Sequence, residues 1–226
     1  MTTLGIIVAR SGSKSIPGKN MALFRGQPLI YWTIKSAKAA KRLTRLIVST
    51  DSQRIATYCQ EQGVEVPFMR PGYLATDDAR TIDVIRDVIE RIPNFDAVCI
   101  LQPTNPLRSS RDIDAAIDLM ERTSCASVIS GTDVGEHHPA RMHKTDGEGR
   151  VEKTTYAEAY DGQPRQYLEK LRLRDGSIYL AKTGLIQSGV LMGGECREYS
   201  IPAERAWSVN EPLDLKVCEA LWPATT

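Results

Sequence analysis

The sequence is short of the features that mark several whole classes of protein. No apolar segment approaches the roughly 20 uninterrupted residues that a membrane-crossing helix needs. Neither sign of charge dominates: 29 basic against 28 acidic residues leave a net charge of +1, which excludes the broad electrostatic footprint of a nucleic-acid binder. There is no CxxC pair, and the five cysteines (Cys59, Cys99, Cys125, Cys196, Cys218) are scattered and mostly flanked by apolar residues. That is the usage of buried thiols in a reducing compartment, not of a disulfide frame. His137, His138 and His143 have no Cys or carboxylate at zinc spacing, so structural zinc is not expected. Repeats and low-complexity tracts are missing. So are both standard glycine-rich phosphate motifs, G-x-x-x-x-G-K-[ST] and G-x-G-x-x-G. The N-terminus reads as a core strand with no room for a signal peptide, which predicts a cytoplasmic protein.

What is present is a long alternation of strand-like and helix-like segments. Strands are predicted at Gly5–Ala9, Leu46–Thr50, Val64–Phe68, Ala97–Leu101 and Ala126–Ser130. Between them, Leu29–Lys41, Ser52–Gln62, Thr81–Arg91 and Arg111–Arg122 repeat apolar residues at three-and-four spacing. Such alternation implies right-handed βαβ units and a mainly parallel sheet, with ligands bound beyond the carboxyl ends of the strands. From about Gly131 to Asp175 the pattern breaks: Gly, Pro, His and charged residues dominate, as in an excursion that carries its own hairpin. Regular structure resumes at Gly176–Leu180, and Leu213–Trp222 forms a closing helix after Pro212. The 226 residues therefore read as a single domain, 1–226, with a protruding insert at about 131–175.

The most informative segment is Ile6-Ile7-Val8-Ala9-Arg10-Ser11-Gly12-Ser13-Lys14-Ser15-Ile16-Pro17-Gly18-Lys19-Asn20. A buried strand feeds a loop of small residues that carries Arg10, Lys14 and Lys19. Small residues let backbone N–H groups approach an anion, and the cations supply charge, a combination that suits a triphosphate. A second string, Gln102-Pro103-Thr104-Asn105-Pro106-Leu107-Arg108, follows the fourth predicted strand. Its two prolines restrict a short loop whose Gln102 and Thr104 can hydrogen-bond the hydroxyl and carboxylate groups of a sugar acid. Ser49-Thr50-Asp51 ends the second strand, and Thr50 or Asp51 is read as the cap of the following helix. Arg70-Pro71 and Leu74–Thr81 form a polar turn that either brackets a nucleotide or caps a helix.

These strings closely resemble the cytidylyltransferases that activate sialic and related nonulosonic acids, and the resemblance covers nearly the whole chain. It implies a Rossmann-like three-layer α/β/α fold of the nucleotide-diphospho-sugar transferase type, with a protruding dimerisation insert. It implies that Arg10, Ser13, Lys14, Lys19 and Asn20 contact CTP, with Arg10 and Lys19 catalytic, and that Arg70, Arg80 and Thr81 lie by the base and ribose. Gln102 and Thr104 fall to the sugar acid. Thr104 stands where the octulosonate branch of the superfamily has a magnesium-binding Asp, which argues for the nonulosonic branch. Arg141, in Glu136–Arg141, matches a position where the family often has a Lys near the sugar acid, on a segment that approaches a dimer partner. For the substrate carboxylate, a planar guanidinium is expected from Arg165 and from either Arg172 or Arg174, with Tyr179 lining the pocket.

One departure concerns the metal. The family carries Asp-x-Asp before its last helix to hold magnesium, and here those positions are Ser208 and Asn210. Asn210, Glu211 and Asp214 are the remaining candidates, Asp214 doubling as a helix cap. The expected activity is CMP transfer from CTP to a sialic-type 2-keto acid with Mg2+, in a homodimer that engages neither membrane nor nucleic acid. Activation of an octulosonic acid, use of another nucleotide, and a non-catalytic nucleotide-binding protein are the alternatives.

Overall fold

A computed structural model describes residues 1–159 and 162–222. Its elements in chain order are β1 (Thr3–Val8), β2 (Leu23–Phe24), β3 (Gln27–Pro28), α1 (Leu29–Ala39), β4 (Arg45–Ser49), α2 (Gln53–Glu61), α3 (Thr81–Arg91) and β5 (Ala97–Leu101). There follow α4 (Ser110–Thr123), β6 (Ser127–Asp133), β7 (His143–Thr145), β8 (Val151–Lys153), β9 (Arg172–Lys182), α5 (Thr183–Gln187), β10 (Cys196–Ser200) and α6 (Pro212–Leu221). The central sheet has six strands in the order β10-β6-β9-β5-β1-β4. β1 pairs in parallel with β4 and β5, and β10 with β6. β9 alone runs antiparallel, between β5 and β6.

Period-two alternation in the strands builds the three layers. Ile7 and Val48, with Cys99 and Leu101, face one side and pack against Ile30 and Ile34 of α1 and Ile113, Ile117 and Met120 of α4. Leu4, Ile6, Val98 and Ile100 face the other side and meet Ile85, Val88 and Ile89 of α3 and Ile186 of α5. A third cluster lies off the sheet. There Ile16 and Phe24 from the segment after β1 pack with Leu107, Val209 and Cys218, flanked by Trp32, Trp207 and Trp222. This cluster seats the cationic loop against α6.

Three expectations are corrected. Val64–Phe68 is not a strand: only Glu65 bridges to Ile47, because Pro67 has no N–H to continue the ladder. The excursion is shorter than 131–175, since β6 and β9 stay paired out to Asp133 and Arg172; it does contain the expected hairpin, β7–β8. Cys196 is exposed on β10, while the other four cysteines are buried.

β6 and β9 change register between Ile129 and Gly131: Ile129 faces Tyr179, but Gly131 faces Arg174. The extra residues of β9, Asp175–Ile178, bulge out of the ladder, with Gly176 at φ +82°. Asn105 Nδ2 donates to the Asp175 carbonyl at 3.0 Å, so the bulge rests on the Gln102–Arg108 loop.

Candidate active site

A cleft of about 320 Å³ opens at the carboxyl ends of β1 and β5. Arg10, Gly12, Ser13, Lys19 and Asn20 form one wall; Gln102, Pro103 and Thr104 form another; Arg70, Leu74, Thr76, Asp77 and Thr81 close it. The two strings that stood out in the sequence therefore meet across one space, at the sheet edge that the topology makes available.

The cationic loop is held by its neighbours. Ser11 donates from its backbone N to Asp51 Oδ1 at 2.8 Å and from Oγ to Asp51 Oδ2 at 2.5 Å. Asp51 thus anchors the loop, and the helix-cap reading of Thr50 or Asp51 is corrected: Ser52 caps α2, its Oγ accepting from Ile55 N. Asn20 Nδ2 donates to the Arg10 carbonyl at 2.9 Å and so braces the loop from inside. Gly18, at φ +61°, turns the chain into Lys19, which a side chain at that position would resist. Lys19 Nζ donates to the carbonyls of Val209 and Asn210 at 3.1 and 3.3 Å, joining the loop to the segment before α6. Its pKa is lowered chiefly by burial, and Arg10 adds to this while Asp214 opposes it.

Two loop cations converge on one carboxylate. Arg10 meets Asp77 Oδ1 at 2.8 Å and Lys14 meets Asp77 Oδ2 at 3.0 Å, while Arg10 also donates to the Thr76 carbonyl. Lys14 does not line the cleft; its side chain is 81% exposed. Arg70 is buried and donates to Ser49 Oγ and Ser49 O, so it braces the end of β4 as well as lining the cleft. Arg80 turns outward and pairs with Asp83, leaving Thr81 at the start of α3 as the residue on the cleft.

The arginines expected near the substrate carboxylate do not reach this cleft within one chain. Arg141 pairs with Glu158 and donates to the Gln163 carbonyl; Arg165 pairs with Glu136 and Asp133. Arg172 is tied to the sheet by Glu198, Ser200 and the Gly131 carbonyl. Arg174 lies 5.8 Å from the Tyr179 ring centroid and contacts Met192, so of the two it is the one beside Tyr179. Tyr179 is half-buried, and its hydroxyl lies beside Gly176 together with Gln102 Oε1 and Asn105 Oδ1.

The candidate metal segment presents a reduced donor set. Asp214 Oδ2 accepts from the backbone N of Asn210 and of Glu211 at 2.7 and 2.8 Å, and Oδ1 accepts from Trp207 Nε1 at 3.0 Å. Oδ2 caps the start of α6 and Oδ1 is held by the Trp207 indole, so both oxygens of Asp214 are already engaged and its capping role takes precedence over the metal reading. Asn210 and Glu211 remain exposed. Among the described residues no three His, Cys, Asp or Glu side chains cluster to hold a metal. This set fits a magnesium ion carried mainly by phosphate oxygens, with one or two protein oxygens added; it does not fit an all-protein site.

Sheet topology and cleft together define an α/β protein with an open cleft beyond its strand ends, cations on one wall and amide and hydroxyl groups on the other. The cytidylyltransferase family model matches residues 4–167, and the chain belongs to that family of nucleotidyltransferases. It is 35% identical over 188 residues to CMP-N,N'-diacetyllegionaminic acid synthase of Legionella pneumophila, covering 80% of this chain and 78% of that one. It is 29% identical over 216 residues to N-acylneuraminate cytidylyltransferase A of Danio rerio, covering 95% of this chain but only 49% of that longer protein. Among solved structures, CMP:2-keto-3-deoxy-manno-octonic acid synthetase complexed with CTP superposes with a TM-score of 0.75 over 98% of both chains, at 17% identity. That likeness concerns the fold.

Two anchoring residues escaped the sequence reading. Asp51 was hidden because an acidic residue between a strand and a helix looks like a cap. Arg108 closes a proline-rich loop, and nothing in its spacing marks it as buried.

Proposed function

We propose that this chain transfers CMP from CTP to a nonulosonic, sialic-type 2-keto sugar acid, releasing pyrophosphate. The observation that carries the reading is the single cleft in which Arg10 and Lys19 face Gln102 and Thr104, in a member of the cytidylyltransferase family. The triphosphate would lie along the Arg10–Asn20 loop, with Ser13 and the loop amides as donors, and the nucleoside against Arg70 and Thr81. The sugar acid would lie against Gln102, Thr104 and Tyr179. Its anomeric 2-hydroxyl oxygen bonds to the α-phosphorus as the bond from that phosphorus to the β-phosphate oxygen breaks. The hydroxyl proton passes to solvent, and pyrophosphate departs. Positioning and charge neutralisation by Arg10 and Lys19 suffice for the protein's part, with no covalent enzyme intermediate. Magnesium bound with the triphosphate would neutralise further phosphate charge, Asn210 and Glu211 offering the protein oxygens.

A second copy of the chain is part of this reading. Met142, Val151, Tyr156 and Tyr167 of the insert are 51–71% exposed, an apolar set that a symmetric dimer would cover. The insert is also where Arg141 and Arg165 lie, outside the cleft of their own chain. Among the described residues no helix is long and apolar enough to cross a membrane; we place the enzyme in the cytoplasm, where CTP is made.

The test is magnesium-dependent pyrophosphate release from CTP with sialic, legionaminic, pseudaminic and octulosonic acids in parallel. Turnover with one of the first three and little with the octulosonic acid is expected. CTP binding without pyrophosphate release on any acid would favour a non-catalytic nucleotide-binding protein.

A further inference from the structure

Arg108 is 3% exposed and, among the described residues, has no carboxylate bonded to it. Its guanidinium donates to three neutral acceptors: the Ser177 carbonyl at 2.8 Å, Thr33 Oγ1 at 2.8 Å and the Gln102 carbonyl at 3.3 Å. Arg108 Nε has no hydrogen-bond partner among the described residues, and neither does Asp175 Oδ1 in the neighbouring bulge. Burial pushes the guanidinium down to about 10, with Cys99, then Asp175 and Asp112, giving only partial relief. A charge buried on such terms is costly, and an apolar side chain of similar volume would fill the space without that cost.

What the charge holds explains its presence. Gln102 opens the loop that lines the cleft, and Ser177 belongs to the β9 bulge whose Gly176 lies beside Gln102 Oε1, Asn105 Oδ1 and Tyr179 OH. Loop and bulge come from separate strands and have no shared ladder at this point. Asn105 crosses the gap once, through the Asp175 carbonyl. Arg108 crosses it a second time and also ties both sides to α1 through Thr33, whose hydroxyl in turn donates to the Gln102 carbonyl at 3.3 Å. The fork of a guanidinium can reach three acceptors in different directions at once; an ammonium or amide cannot match that planar spread.

We propose that Arg108 is a positioning residue that fixes the spacing between the Gln102–Thr104 loop and the Asp175–Ser177 bulge, and thereby the polar pocket for the acceptor acid. The assignment of that pocket to the acceptor rests on the function proposed above. Arg108 touches no substrate; it acts through the backbone of Gln102 and Ser177. The nucleotide wall, built on Arg10–Asn20 and held by Asp51, shares none of its hydrogen bonds; the two walls meet instead through Val209, whose N–H donates to the Thr104 carbonyl and whose carbonyl accepts from Lys19.

Arg108→Met conserves bulk and removes the donors; Arg108→Lys keeps the charge; Thr33→Val removes one acceptor at nearly constant volume. Amide hydrogen exchange on the whole chain is the first readout. Arg108→Met should exchange about tenfold faster at residues 102–105 and 176–178, with residues 11–20 unchanged, and Arg108→Lys should restore part of the protection. In turnover, Arg108→Met should raise KM for the accepted acid about tenfold or more while the calorimetric Kd for CTP stays within twofold. If Arg108→Met does not fold, Thr33→Val carries the test, with a several-fold rise in both quantities. Unchanged exchange at 102–105 and 176–178 in the variant that folds would overturn the proposal. So would a CTP affinity that falls in step with the acid. If no acid turns over in the wild type, the functional reading fails on its own account, and the exchange experiment still decides whether Arg108 sets this spacing.

Discussion

The ammonium of Lys19 is half-buried against the carbonyls of Val209 and Asn210, and burial lowers its pKa from the ordinary 10.5. The sign matters twice. The charged form is the one that neutralises phosphate, so the alkaline limb of kcat/KM for CTP should set in below 10.5, and Lys19→Arg should move it upward. For stability the direction reverses: the unfolded chain holds this proton more tightly, so over the interval between the folded value and 10.5 the Lys19 contribution to stability rises with pH. Lys19→Ala should cost on the order of 10²–10³ in rate, as for loss of one electrostatic stabiliser, while the melting temperature barely moves. Turnover near that of the wild type would remove Lys19 from the machinery. Asp51→Ala should also weaken CTP binding, by releasing Ser11, and leave α2 intact because Ser52 caps it; a helix-content loss without an affinity change would contradict the anchoring role. That Arg10 and Gln102 lie on loops at the same sheet edge was legible, because each follows a strongly patterned strand. The anchoring roles of Asp51 and Arg108 were not, since the partner of Asp51 lies 40 residues away in sequence and the two shortest bonds of Arg108 reach 69 and 75 residues.

Among the elements, α3 and β5 were legible to the residue, at Thr81–Arg91 and Ala97–Leu101, because each is a strongly patterned segment with one dominant burial mode. β10 was not: three of its first residues are exposed and polar or charged, as an edge strand permits, so no period marks it. Val64–Phe68 misled for the opposite reason, a strand-like alternation of Val64 and Val66 around Glu65 that Pro67 cuts short. β10 and α4 are joined by a polar network in which Asp112, 1% exposed, accepts from Arg205 and Ser109 and from Tyr199 OH at 3.0 Å. Burial raises the Asp112 pKa, but the Arg205 and Ser109 bonds outweigh it and the net shift is downward. Arg205→Met strands this carboxylate and should destabilise by about 3 kcal/mol at neutral pH. A depressed carboxyl contributes stability above its unfolded value of 3.8 and loses it as pH falls through the folded value. The gap between wild type and Arg205→Met should therefore close below about pH 4; a gap that persists there would show that packing, not the ion pair, was lost.

For the whole molecule, the insert between β6 and β9 projects from a sheet that is complete without it. Replacing residues 143–153 with a short turn should convert a sedimenting dimer to a monomer while far-ultraviolet circular dichroism changes little; a wild type that is already monomeric at micromolar concentration would contradict the proposed assembly. That the fold would be α/β with a protrusion was readable from the alternation and its interruption. That β9 returns antiparallel, and bulges at the cleft, was not, because strand direction leaves no period in a sequence. The off-sheet cluster has a consequence of a different kind. All three tryptophans, Trp32, Trp207 and Trp222, sit in it, with the rings of Trp32 and Trp222 4.4 Å apart at their centroids. Nothing else in the chain emits as indole does, so the intrinsic fluorescence of this protein views one corner, the seat of the cationic loop against α6, and is blind to the sheet. Light from that corner becomes a local gauge: ligand arriving on the loop should alter it, and on heating it should report the loosening of α6 separately from the melting of the strands.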